Sequence, residues 1–425
     1  MGLFRRRRTA QVESNSAPAS STLSGETQRR VLPNPPTVNR HGARSVDAQV
    51  DYLLQLITPL PAFGMYLLDA WGSALCEDIT ADLTIPVEDL AACEGYAVRC
   101  DDLIGLPEAG SITLKVVEHT VLPQTAVKVL AAQPLPQGAD AVISLTDLRR
   151  DGASVTISTA VKLGDNVRWA GSEVRPSMPL MRAGERLDAR DSALMALAGI
   201  DRVLARPRPR VVTMALGADD SLNGVNSHML AALAKSDRTQ VWRVPFAGGD
   251  ERQLRDLISD QLIRADLLIA TAPIGEDSSV MKVISSMAVI DVATVAMRPG
   301  GTVVFALVGE DEIPMLIVPE DSVSAYVSYQ LFARPLINQL MGAEQVKPLK
   351  QSCLLGDDLL SEEGVMDLRF ATVREQSGEK VAVPLSSGHG IKLADLVRAH
   401  ALLVLDESTT QLGLGERVDC WMLRD

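Results

Sequence analysis

Apolar residues recur at helical spacing over 46–58, where Val50, Leu53, Leu54 and Ile57 share one face, so an amphipathic helix is predicted there. Between about 92 and 163 the pattern shortens to runs and alternations bounded by Gly and Pro: K-V-V at 115–117, A-V-K-V-L at 126–130, D-A-V-I-S-L at 140–145 and S-V-T-I-S at 154–158. These predict a small β module. A short helix follows at 191–200. From Arg210 the chain alternates: strand 210–216, helix 227–235, strand 241–244, helix 251–264 with Leu254, Leu257, Ile258 and Leu262 on one face, and strand 265–271. Alternation of this kind predicts a parallel sheet covered by helices, with any ligand outside the carboxyl ends of its strands. The loops at those ends are 217–221, 247–250 and 272–279. Beyond about 347, short strands with turn signals predict a compact β domain ending at 421–423. The fold class is therefore multidomain α/β.

A chain of 425 residues exceeds what one core usually holds, in keeping with several domains. Its 46% hydrophobic and 22% charged residues are ordinary globular values,, and no apolar run reaches the roughly 18 to 20 residues that span a bilayer. The five cysteines (76, 93, 100, 353 and 420) include no C-x-x-C, which argues against a disulfide framework and against a zinc site. The five histidines lack metal-ligand spacing. A soluble, cytoplasmic protein in a reducing compartment is expected.

The net charge of −13 hides an asymmetry: residues 1–44 hold eight Arg and two Glu, a balance of +6, which leaves −19 on 45–425. The tail is rich in Ser, Thr, Asn and Pro and poor in large apolar residues, so it is expected to be disordered. Its Arg5 to Arg8 run offers weak, salt-screened attraction to an anionic membrane surface or an acidic partner. An acidic body excludes nucleic acid as the main partner, since phosphate contacts need clustered Lys and Arg.

Residues 86–99 read P-V-E-D-L-A-A-C-E-G-Y-A-V-R. The stretch resembles the P-P-F-D-N-S-A-M-D-G-Y-A-V loop of the MoeA family, the molybdopterin molybdenumtransferases that include the E domain of gephyrin. Pro86, Asp89, Ala92, Gly95, Tyr96, Ala97 and Val98 match it, whereas Leu90, Ala91 and Glu94 stand where the family has Asn, Ser and Asp. Further segments follow in family order: L-L-D-A-W-G-S-A-L-C-E-D-I at 67–79, L-P-Q-G-A-D-A-V at 135–142, G-D-N-V-R-W-A-G at 164–171, A-M-R-P-G at 296–300 and L-G-L-G-E-R-V at 412–418. The resemblance covers about residue 45 to the end. Beyond the basic tail (1–44) that composition sets apart, it implies an elongated, dimerising N-terminal domain (45–91 and 164–205) with the β module inserted (92–163), a MogA-like parallel α/β domain (206–346) and a C-terminal β domain (347–425).

Enzymes of the family bind adenylated molybdopterin and molybdate, use magnesium and release AMP. Carried onto this sequence, Glu94, Asp219 and Asp250 fall at catalytic positions, Glu94 and Asp219 also at those of the magnesium ligands. Asp89, Asp140, Glu173, Gly217, Asn226, Ser227, Lys282, Arg298 and Ser324 fall at cofactor-binding positions. Several pocket segments depart from the pattern. T-S-G-G-V-S-V-G resembles T-A-P-I-G-E-D-S at 271–278, with Ala272 and Pro273 in place of glycines, and proline removes a backbone donor. S-T-G-D-E-L becomes A-L-G-A-D-D at 215–220, K-P-G-K-P becomes R-P-G-G-T at 298–302, and L-P-G-N-P-V-S becomes V-P-E-D-S-V-S at 318–324. Glu320 and Asp321 thus add carboxylates where a phosphate-bearing ligand is expected, a like pair about 6 Å apart costing roughly 3 kcal/mol. The first expectation is a degenerate active site in a gephyrin-like homodimeric scaffold that needs no cofactor and binds a peptide tail of a partner, such as an FtsZ-type division protein. The alternative is an active molybdopterin molybdenumtransferase using magnesium and molybdopterin.

Overall fold

The computed structural model describes residues 31–106, 108, 110–217, 220–245, 249–275, 277–385 and 392–423, and of 220–223 the backbone alone. Arg5 to Arg8 therefore lie outside the described residues. Residues 31–44, assigned to the tail from composition, pack against the body: Leu32 joins the main core, the Tyr52 hydroxyl donates to the Pro33 carbonyl at 3.0 Å, and buried Arg44 forks onto both carboxylate oxygens of Asp291 at 2.7 and 2.8 Å. Ser45 caps the first helix, α1 (Val46–Gln55), its hydroxyl accepting from the Ala48 N–H. Val46, Val50 and Leu53 bury one face of α1, as the spacing predicts,.

The inserted module contains β1 (Gly95–Val98), β2 (Ile112–Val117), β3 (Thr125–Val129), β4 (Ala141–Ser144), β5 (Leu148–Asp151) and β6 (Ser154–Ile157), in the spatial order β4-β1-β3-β2-β6-β5. Gly95 is required at its entrance because a Cβ there would lie 2.0 Å from the Ile143 carbonyl oxygen. The chain on either side of the module zips into antiparallel ribbons: Phe63–Tyr66 with Arg202–Ala205, Ile79–Thr80 with Pro179–Met181, and Leu90–Ala91 with Val167–Arg168. Helix α2 (Ala189–Leu197) follows a capping box between Asp188 and Asp191,.

The α/β domain alternates β7 (Arg210–Ala215), α3 (Asp220–Ser236), β8 (Gln240–Arg243), α4 (Glu251–Leu262), β9 (Leu267–Thr271) and α5 (Ser279–Met287). It continues through β10 (Ala288–Thr294), β11 (Met297–Arg298), β12 (Thr302–Val308), β13 (Ile313–Val318), α6 (Ser322–Ser328) and α7 (Arg334–Met341). The six-stranded sheet runs β8-β7-β9-β13-β12-β10; the first four strands are parallel, β12 runs against them, and β10 pairs antiparallel to β12 at the edge. The expected parallel sheet thus carries an antiparallel edge. Helix α3 begins seven residues before the expected 227, because its first turns are mostly polar and show no apolar period.

β14 (Gln351–Leu355), β15 (Met366–Gln376), β16 (Glu379–Pro384), β17 (Ala401–Leu405) and β18 (Arg417–Met422) close into a barrel, since β15 pairs with β17 as well as with β16, and β11 pairs onto β15. One core joins α1, α7, the inner face of the α/β sheet and the barrel through Leu53, Leu336, Phe305, Leu368 and Trp421. Among the described residues no helix is long and apolar enough to cross a membrane.

Candidate functional site

Strands β7, β9 and β13 end at the same edge of the sheet, and a cleft of about 340 Å³ opens there. Its walls are the loop after β9 (Ala272, Pro273 and Ile274), the start of β12 (Gly300 and Thr302) and the junction of β13 with α6 (Pro319, Glu320 and Ser324). This is where an open α/β sheet places its ligands. Gly300 and Gly301 have φ of 93° and 113°, left-handed values that favour glycine over any other residue,.

The polar chemistry of the cleft is held from below. The Asn226 amide on α3, fully buried, donates to the Glu320 carbonyl at 2.5 Å and accepts from the Ser322 hydroxyl at 2.6 Å. These bonds fix the bend that turns Glu320 into the cleft. At the head of α6 the Asp321 carboxylate accepts from the Ser324 backbone N–H at 2.8 Å. A free helix N-terminus attracts anions through its orphan N–H groups and its dipole; here the chain's own carboxylate already fills that role. A neutral hydroxyl caps α5, Ser278 accepting from the Met281 N–H at 3.3 Å.

The positions carried over from the resemblance separate into two groups. In the first, Asp89 accepts from the Ala170 N–H at 2.8 Å, Asp140 from the Cys100 N–H at 2.7 Å, Glu94 pairs with Lys128 at 3.3 Å and Glu173 pairs with Arg168. Burial, then Asp140, pushes the Cys100 thiol up to about 12. The second group lies on the α/β domain. Gly217 follows β7, and the buried Ser227 hydroxyl donates to the Gly224 carbonyl and accepts from Arg243, both at 3.0 Å. Asp250 caps α4 through a capping box with Gln253, and Lys282 is exposed on α5. Arg298, on β11, reaches Asp367 at 3.1 Å and Glu362 at 3.3 Å. Ser324 alone of these positions lines the cleft, with Asn226 one hydrogen bond behind it. Asp219 lies outside the described residues. Among the described residues no hydrogen bond or ion pair joins the first group to the second.

Magnesium needs oxygen ligands in near-octahedral array. Among the described residues no cluster of three or more His, Cys, Asp or Glu is placed to hold a metal, and Glu94 is engaged by Lys128. Asp219, the other expected magnesium ligand, lies outside the described residues, and no chemical step is drawn through the ion. Sequence reasoning missed Thr302 and the supporting role of Asn226. It also missed buried Asp367, which holds Arg298 and Arg369 and gives no local signal on β15.

A family model described as the MoeA N-terminal region (domain I and II) matches residues 44–199. Molybdopterin molybdenumtransferase 1 of Mycobacterium tuberculosis is 29% identical over 394 residues, covering 83% of this chain and 92% of the relative. Molybdopterin molybdenumtransferase 2 of the same organism is 26% identical over 407 residues, covering 89% and 100%. The crystal structure of the molybdopterin biosynthesis moeA protein from Pyrococcus horikoshii OT3 superposes with a TM-score of 0.69 at 22% identity, over 89% of this chain and 100% of that one.

Proposed function

The chain belongs to the MoeA family, and from that premise we propose that it acts as a molybdopterin molybdenumtransferase, holding a phosphate-bearing pterin in the cleft above β9 and β13. The observation that carries this reading is the cleft itself: about 340 Å³ at the carboxyl edge of the parallel strands, backed by glycines and open to a Ser324 side chain. That volume lies within the range of small-molecule sites. The relatives support the transferase better than they support a scaffold, because those that align over most of this chain carry the transferase name. In this reading Ser324 and Thr302 offer hydroxyls to the ligand.

A second reading, the gephyrin-like homodimer that binds a partner's peptide tail in the cytoplasm, is favoured by a specific set of contacts. Pro273 and Pro319 offer no N–H to the cleft, Asp321 occupies the head of α6, and Glu320 adds negative charge. All three oppose a phosphate. An AMP-release assay with adenylated molybdopterin and molybdate, paired with calorimetric titration of the same ligand, separates the two. Turnover comparable to that of the Mycobacterium tuberculosis relative supports the transferase. A folded protein that neither binds nor turns over the ligand leaves the scaffold.

A further inference from the structure

The barrel core holds a pair of thiols that the cleft does not use. Cys353 on β14 and Cys420 on β18 are 1% and 0% exposed, and their sulfurs lie 3.0 Å apart. The two strands are antiparallel neighbours, with Gln351 opposite Cys420 and Cys353 opposite Val418. The cysteines are thus diagonal partners on one face, and both point into the cluster formed with Leu355, Leu403 and Ala382. A disulfide bond is about 2.05 Å long, so roughly 1 Å of side-chain travel separates the dithiol from the bonded state. Among the described residues no other pair of cysteines is joined by a hydrogen bond or a disulfide.

We infer that Cys353 and Cys420 are a built-in cross-strand disulfide site, closed by a peroxide-class oxidant and reopened by thiol reductants. The step balances as follows. The Cys353 thiolate attacks one peroxide oxygen, the O–O bond breaks, and the departing hydroxide takes up a proton as water, leaving a sulfenic acid. The Cys420 sulfur then attacks the sulfenic sulfur; the S–S bond forms, the S–O bond breaks and a second water leaves with the remaining thiol proton. Cys353 is assigned as the first nucleophile because the Cys420 thiol is engaged, donating to the Gln351 carbonyl at 3.3 Å; burial also raises the Cys420 thiol. A thiol that resists ionisation reacts slowly. The pair is therefore quiet while the barrel is shut and oxidises when β14 and β18 part.

The bond would close a loop across a sequence separation of 67. Constraint of the unfolded chain by such a loop raises the melting temperature, here by on the order of 5 °C. The experiment treats the full chain with hydrogen peroxide, with and without a low urea concentration that opens the barrel, and maps peptides by mass spectrometry. Oxidation of half-buried Cys76 serves as the sign that the oxidant acted. Expected are a linked peptide pair containing Cys353 and Cys420, faster linkage in urea, reversal by dithiothreitol, and loss of the linkage in Cys353→Ser but not in Cys76→Ser. Oxidised Cys76 with Cys353 and Cys420 both reduced, or Cys353 linked to any other cysteine in the folded protein, overturns the inference.

Discussion

Asp321 accepts a hydrogen bond from the Ser324 backbone N–H at 2.8 Å, so the N-terminus of α6 is already occupied by a carboxylate of the chain itself. The cleft beside it must therefore attract any phosphate with Ser324, Thr302 and more distant cations, against the charge of Asp321 and Glu320. Replacing Asp321 by Ala removes the cap and is expected to cost about 1 kcal/mol, read as a lower melting temperature. Asp321→Asn keeps the acceptor and removes the charge. It should melt close to the wild type and bind adenylated molybdopterin several-fold more tightly by calorimetry.

Arg44 and Asp291, both 9% exposed at the side chain, tie the chain before α1 to the edge strand β10. Removing one partner strands the other charge in the interior, so Asp291→Ala should destabilise by about 3–5 kcal/mol. Replacing both with apolar residues of similar volume should recover most of that loss. Urea denaturation of the two single variants and the double variant checks it.

Gly95→Ala brings a Cβ to 2.0 Å from the Ile143 carbonyl oxygen and 2.8 Å from its carbon. The obstacle is backbone, which cannot swing aside. The β module should lose about 1–3 kcal/mol, seen as faster proteolysis between β1 and β4. The same glycine carries the resemblance of the 86–99 loop, so its retention reports on folding and carries no information about catalysis.

Stability should fall on the alkaline side. Cys100 and Cys420 are each held protonated to about 12, chiefly by burial, against an ordinary thiol value of 9.0. Tyr52 and Tyr329 are raised as well, again mainly by burial. A group whose folded value is raised binds its proton more tightly when folded, so its contribution is complete below the unfolded value and is lost as pH climbs from about 9 toward 12. Melting temperatures measured from pH 8 to 11 should decline, and Cys100→Ser should make the decline shallower. An unchanged slope in that variant would remove Cys100 from the account.

Much of the scaffold was legible because burial writes a period into the sequence. Val50 and Leu53 on α1, and Leu254 and Ile258 on α4, fall where helical spacing puts them, and Leu267 to Thr271 is apolar because both faces of its sheet are covered,. The antiparallel edge made by β10 and β12 was not legible, since a buried apolar run such as Thr302–Val308 states no direction. Barrel closure rests on β15 pairing with two partners at once, which no local pattern encodes. At the site, Ser324 is the one carried-over position that lines the cleft, and Gly300, which matches the family pattern as a scaffold position, lies beside it. It could not show that Asn226 faces inward to hold the Glu320 carbonyl, or that Asp250 closes its own helix, because both are decided by contacts local to the folded chain.

The central claim is that the cleft above β9 and β13 carries out molybdenum insertion, and AMP release from adenylated molybdopterin in the presence of molybdate tests it most directly. Ile274 lines that cleft from the loop after β9, half-buried against the edge of the sheet's core, so Ile274→Trp fills the space, with the melting temperature checking that the sheet is kept. The account predicts turnover by the full chain and at least a tenfold loss in Ile274→Trp at unchanged melting temperature. No AMP release by the wild type, under conditions in which the Mycobacterium tuberculosis relative releases it, would contradict the account.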